Sequence, residues 1–272
     1  MNINSYLNYI KTIPYLFLLL VITNTSIISK DKKTITFKAD DGLEITADLY
    51  IEHELTKPFI VLFHQAGWSR GEYLEIAPRL NRMGYNCMAV DQRSGDSVNT
   101  VENQTYREAL KEKKDTDYLS AYVDLESAVK FVKTNYAKGK IIVWGSSYSA
   151  SLVLKLAAEL PGLVSGVLAF SPGEYFTSLG KNDTFISYSA MKIECPVFIA
   201  SAKNEKENWD AIYNAIPGDH KTFFIPADSG HHGSSALWLK YFDSGSYWLA
   251  VKKFLRQFSV QNYKGKNNGE SN

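Results

Sequence analysis

A chain of 272 residues, 45% of them hydrophobic, is long enough for one large core, and single α/β domains reach this length. Thirty Lys and Arg against 29 Asp and Glu leave a formal net charge of +1, which excludes the strong basic field that would recruit nucleic acid. Two cysteines exclude a dense disulfide framework, and Cys87 and Cys195, each beside an apolar run, read as small buried hydrophobes.

The N-terminus is a separate object. Ile13 to Ile22 is an apolar run preceded by Lys11 and followed by Thr23-Asn24-Thr25-Ser26. It is shorter than the ~20 residues a membrane-spanning helix needs. Residues 1–29 therefore read as a secretory signal peptide, cleaved between Ser26 and Lys30. The processed chain is expected to be secreted or periplasmic, without stable membrane insertion. An uncleaved N-terminal anchor is the alternative, because no A-x-A site follows the run. Sequons stand at Asn103 and Asn182.

Beyond the leader, residues 34–39 and 43–50 alternate apolar and polar around Asp41-Gly42, which predicts a β-hairpin. Phe59 to Phe63 is continuously apolar, as in a parallel strand buried on both faces. A helix over Glu72–Met83 and a strand over 85–90 follow. Next come a helix over Ala121–Thr134, the strand starting at Lys140, and a helix after Ser147. The chain continues with strands over 164–170, 196–201 and 221–226, a helix over Trp209–Ala215, and a last helix over Tyr247–Phe258. This alternation predicts a mostly parallel central sheet flanked by helices over residues 34–258, with a polar C-terminal tail over 259–272. The chain contains no nucleotide-binding glycine fingerprint, and nothing in it specifies an oligomer.

The chemistry concentrates at Trp144-Gly145-Ser146-Ser147-Tyr148-Ser149, between an apolar strand and an apolar helical period. A strand, a sharp turn carrying Ser147 and a helix make a nucleophile elbow. The flanks must be small, and Gly145 and Ser149 meet that need, with Ser149 replacing the last glycine of G-x-S-x-G. The same residues also fit a serine-rich helix cap.

Serine needs a base, and the base needs an acid. His231 and His232 lie in the loop after the last strand. His232 is the expected base because Gly233 behind it frees the loop to aim the ring; His231 is the alternative. A metal site made of this pair is disfavoured, since no Cys or Glu stands at ligand spacing. For the acid, Glu205 follows a strand, 58 residues after Ser147 and 27 before His232. Glu174 is its rival. The loop His64-Gln65-Ala66-Gly67-Trp68 leaves a buried strand and can turn backbone N–H groups toward a ligand. Oxyanion donors are therefore assigned to the N–H groups of Ala66 and Tyr148, and His64 is read as a structural brace. Gln65 and Trp68 are candidate substrate contacts, with Tyr148 and Tyr175 lining the same region.

The His64-Gln65-Ala66-Gly67 loop, Asp91-Gln92-Arg93-Ser94-Gly95, the elbow and His232-Gly233 together resemble the α/β-hydrolase fold, in particular its dienelactone-hydrolase-like esterases. Dienelactone hydrolases proper use a cysteine nucleophile, so lactone specificity is not implied for Ser147. Many relatives carry Asp at the position of Asn204, one residue before Glu205. Residues 96–119 and 172–192 are too short for a large lid. The resemblance implies a serine hydrolase acting on a small-molecule carboxylic ester through Ser147, His232 and Glu205, with no metal or organic cofactor. An exopeptidase-type amide hydrolase and a non-catalytic binding protein on the same fold are the alternatives.

Overall fold

The computed structural model describes residues 32–259, so the expected leader and the polar tail from residue 260 lie outside the described residues. An eight-stranded sheet runs in the order β1 (Lys33–Lys38), β2 (Glu44–Tyr50), β4 (Asn86–Val90), β3 (Phe59–Phe63), β7 (Ile141–Ser146), β8 (Val164–Phe170), β9 (Val197–Ala200), β10 (Lys221–Phe224). Strand β2 is antiparallel to both neighbours, and from β4 to β10 every pair is parallel. A small hairpin, β5 (Ser97–Val98) with β6 (Val101–Glu102), stands apart from the sheet.

The apolar runs of the central strands divide with a period of two. Phe59, Val61 and Phe63 join one core with Ile141 and Val143, packed by α3 (Tyr122–Asn135), α4 (Tyr148–Glu159), α5 (Phe185–Ala190) and α6 (Lys206–Ala215). Ile60, Leu62, Ile142 and Trp144 face the other core, covered by α1 (Ile76–Arg82) and α7 (Ser244–Ser259). Both faces of the central strands are therefore dry, and a polar residue in their middle would have no exit to water.

Three sequence expectations needed adjustment. The helix expected over Glu72–Met83 is a 3-10 turn, Arg70–Tyr73, followed by α1 from Ile76. Pro78 lacks an N–H and is tolerated only in a first turn, which fixes where α1 begins. Helix α2 (Gln104–Lys111) was not expected: it is short and predominantly polar, and it buries only Thr105 and Ala109. Cys87 is buried as expected, whereas Cys195 is only half-buried.

Register determines where function can sit. Phe63 pairs with Val90 and Gly145, Ser146 with Phe170, and Phe170 with Ala200. The carboxyl ends of β3, β4, β7, β8 and β9 thus finish side by side, and their exit loops share one edge of the sheet, where open α/β sheets bind ligands. No large lid covers that edge among the described residues.

Candidate active site

Ser147 occupies the strand-to-helix turn between β7 and α4 with φ 59° and ψ −123°, a left-handed conformation that a non-glycine residue adopts only under constraint. Its own N–H is tied to the Phe170 carbonyl at 2.7 Å. Gly145 is required beneath it, because a Cβ there would lie 2.3 Å from the Ser149 carbonyl oxygen. Ser149 is accommodated in place of glycine because its hydroxyl has work within the fold. It donates to the His64 carbonyl at 2.6 Å and accepts from Gln92 Nε2 at 2.5 Å, joining α4 to the loops after β3 and β4.

The 3-10 turn Lys203–Glu205 and the loop after β10 converge on the adjacent part of the edge. His232 donates from Nδ1 to Glu205 Oε1 at 2.5 Å. The other carboxylate oxygen accepts the Ser171 hydroxyl at 2.6 Å and the Ala202 N–H at 3.1 Å. Burial pushes the Glu205 carboxyl up, but hydrogen bonds from His232 and Ser171 and the His232 charge outweigh it and hold it below the usual glutamate value. The imidazole side chain is 42% exposed and the carboxylate 16%, so the acid is shielded while the base meets solvent. A cleft of about 790 Å³ runs along the pair, with Asp228 and His231 also on its wall.

The rival assignments are occupied elsewhere. Glu174 accepts the N–H groups of Ile186 and Ser187, both at 2.8 Å, and so caps α5. His231 stacks on Tyr241 with ring centroids 3.4 Å apart, and its Nε2 lies 3.6 Å from Asp243. Asn204 is exposed. Gly233 does something different from the loop freedom expected of it. At φ 67°, a Cβ there would come within 2.5 Å of Ser146 Oγ, so the glycine lets the histidine loop press against the residue before Ser147.

His64 is the brace that its loop needs. Fully buried, it donates from Nδ1 to the Gln65 carbonyl at 2.8 Å, and its Nε2 accepts from the Gln92 N–H and Asn103 Nδ2, each at 3.1 Å. Burial pushes its pKa down to about 4, so the ring is neutral near pH 7. Asn103 is itself buried and caps α2, which removes that sequon from the surface of the folded chain. The loop is anchored further by buried Arg70, bonded to Asp91 at 2.5 Å, and by Arg93, paired with Asp124 at 2.7 Å.

Gln65 is largely buried, with its side-chain oxygen facing Gly233, and Trp68 is half-buried and stacked on Trp238 at 5.2 Å. Tyr148 is buried under Tyr118, and the Tyr175 hydroxyl donates to the Ser171 carbonyl. Among the described residues, neither the Ala66 N–H nor the Tyr148 N–H is taken by another acceptor, and no hydrogen bond joins Ser147 to His232. No group of three His, Cys, Asp or Glu residues among them is placed to hold a metal.

Strand order, the strained serine between β7 and α4, and a His–acid pair after the following strands define one architecture. The chain has the α/β-hydrolase fold. The family model described as Hydrolase_4, serine aminopeptidase S33, matches residues 55–180, a span that contains the elbow but ends before Glu205 and His232. No curated protein matches the sequence. Among solved structures, an esterase of Pyrococcus furiosus superposes with a TM-score of 0.63 at 19% identity, covering 85% of this chain and 93% of its own. A dienelactone hydrolase from Anabaena variabilis gives 0.64 at 13% identity, covering 85% and 99%. A thermostable carboxyl esterase from Bacillus coagulans gives 0.65 at 13% identity, covering 84% and 99%. At these identities the likeness speaks for the fold alone, and the chemistry rests on the chain's own residues.

Sequence reasoning missed Ser171, Ser146 and Glu72, all buried polar groups at this edge. Ser171 carries a faint signal, since it ends an apolar strand and precedes Pro172.

Proposed function

We propose that this protein is an exported serine hydrolase that cleaves carboxylic esters of small molecules. In this reading the Ser147 hydroxyl attacks the substrate carbonyl while His232 Nε2 takes its proton. Glu205 holds the imidazole through Nδ1 and stabilises the imidazolium. The Ala66 and Tyr148 N–H groups donate to the tetrahedral oxyanion. His232 then protonates the leaving alcohol, and water, deprotonated by the same ring, releases the acid from the acyl-enzyme. Export rests on the apolar run Ile13–Ile22 and its short polar flank.

The observation that carries this reading is the 2.5 Å bond from His232 to Glu205 beside a serine held at positive φ. A binding protein on this fold has no use for a shielded acid orienting an exposed imidazole. An amide substrate is the second reading, favoured by the serine aminopeptidase description of the matching family model.

Treatment of the purified protein with a fluorophosphonate probe, followed by peptide mapping, is the test. Labelling at Ser147 that vanishes in Ser147→Ala is the expected result. A folded protein that takes up no probe would return the elbow to architecture and leave a binding role. Comparison of p-nitrophenyl esters with aminoacyl p-nitroanilides then separates ester from amide cleavage.

A further inference from the structure

Glu72 has none of the roles assigned above, yet it lies fully buried beneath all of them. It sits on the 3-10 turn Arg70–Tyr73, whose formation turns its side chain under the carboxyl ends of β3 and β7. Its Oε2 accepts the Gln65 N–H at 2.9 Å, and its Oε1 accepts the Ser146 hydroxyl at 2.7 Å. The Ser146 oxygen in turn accepts the Ser234 N–H at 2.8 Å. One carboxylate therefore reaches the residue before Ala66, the residue before Ser147 and, through a single hydroxyl, the loop just beyond His232.

A buried carboxylate is a costly way to fill space. Taking it out of water costs several kcal/mol unless its oxygens are satisfied, and apolar groups of similar volume often serve stability as well. Both oxygens are satisfied here, each by a donor from a different loop of the site. Burial pushes the Glu72 carboxyl up to about 7 against the hydrogen bonds from Ser146 and Gln65 and the attraction of nearby His232. The group is thus ionised in mildly alkaline solution, within electrostatic range of the imidazole.

Building on the serine-hydrolase reading, we infer that Glu72 is a positioning residue. It sets the spacing of the Ala66 N–H, the Ser147 hydroxyl and the His232 ring, and its negative charge favours the imidazolium that forms during acyl transfer. It acts through the groups it holds.

Glu72→Gln separates charge from shape. The amide oxygen can accept the Gln65 N–H and the amide nitrogen can donate to Ser146 Oγ, which still accepts from Ser234, so the loops stay joined. At pH 8, with p-nitrophenyl acetate as substrate, kcat is expected to fall about tenfold or more while KM stays within about twofold, as for loss of a transition-state contribution. A folded Glu72→Gln protein with unchanged kcat, or with only KM raised, overturns the inference. Should that variant not fold, Ser146→Ala carries the test, since it cuts the link from Glu72 to Ser234 while keeping the carboxylate side chain and its bond to the Gln65 N–H. A smaller fall confined to kcat supports the role, and an unchanged kcat rejects it. Wild-type protein that is neither labelled at Ser147 nor active on the ester refutes the hydrolase reading itself, a result distinct from an active wild type with an indifferent Glu72.

Discussion

Replacing Ser171 by alanine removes one hydroxyl that bridges the Glu205 carboxylate and the histidine loop. That hydroxyl donates to Glu205 Oε2 at 2.6 Å and accepts the buried Gly233 N–H at 2.9 Å. Ser171 sits at φ 56°, and alanine would meet the same backbone strain, so the substitution isolates the hydroxyl. A hydrogen bond to a charged acceptor contributes about 1.5–3 kcal/mol, and a buried N–H left without a partner costs about 1–3 kcal/mol. Glu205 keeps its bonds from His232 and the Ala202 N–H, so the two losses do not add in full; about 2 kcal/mol is expected, or about 4–8 °C in Tm for a domain of this size. A less firmly held carboxylate orients the imidazole less well, and kcat on p-nitrophenyl acetate should fall about tenfold, equivalent to about 1.4 kcal/mol, with little change in KM.

Sign matters for the pH dependence of this variant. Glu205 lies below its unfolded value, so the stability it contributes is present above the unfolded pKa and lost as pH falls through the folded one. Removal of the Ser171 hydroxyl raises the folded value and shrinks that contribution. The stability gap between wild type and Ser171→Ala is therefore larger at pH 7 than at pH 3. Circular-dichroism melts at the two pH values and steady-state kinetics check both limbs. A Tm within about 1 °C of wild type at pH 7 refutes the energetic reasoning, since even 1 kcal/mol moves Tm by about 2 °C in domains of this size. A lowered Tm with unchanged kcat refutes the link from Ser171 to the imidazole.

Glu205→Ala should lower kcat by at least about a hundredfold, whereas Glu174→Ala, which uncaps α5, should cost about 1 kcal/mol of stability and leave kcat within about twofold. Equal kcat losses in the two variants would reopen the choice of acid. Gly233→Ala places a Cβ 2.5 Å from Ser146 Oγ at φ 67°; a fall in Tm together with a fall in kcat is expected, and an unchanged melt would show that the loop has room to retreat. His64 has a folded pKa near 4, below the unfolded ~6.5, so the stability it confers as a neutral ring is intact above the unfolded value and is lost between about pH 6.5 and 4 at roughly 1.4 kcal/mol per pH unit. Titration of the His64 ring by NMR checks this, and protonation above pH 6 would contradict its placement.

The middle of the sheet was legible because its central strands are dry. A run such as Phe59 to Phe63 has no polar alternation to lose, so its register with neighbours decides only which core each side chain joins, and length and β-branching suffice to mark it. The elements that escaped the sequence lie at the periphery. Helix α2 is held by its Asn103 cap and by Thr105, which accepts the Thr46 N–H at 2.9 Å, rather than by an apolar stripe. The Thr46–Thr105 pairing links residues far apart in the chain, and no local period announces it.

A parallel division runs through the site. Ser147 and His232 could be singled out because the steric demands of an elbow and the freedom of a neighbour without a Cβ leave local marks: a small residue at Gly145, a glycine after the histidine. Yet the structure gives Gly233 another cause, close approach to Ser146, so the reason for singling out His232 was incomplete. Glu72, Ser146 and Ser171 left no comparable mark because their function is relational. In sequence each is one polar residue beside an apolar run; in space, Glu72 and Ser146 are two links of the chain Gln65–Glu72–Ser146–Ser234, and Ser171 joins Glu205 to Gly233. A polar group at the carboxyl end of a dry strand must find its partners at that same edge, since the sheet below offers none. In a parallel α/β sheet the groups that align a catalytic site are thus selected by the same burial that hides them from periodicity.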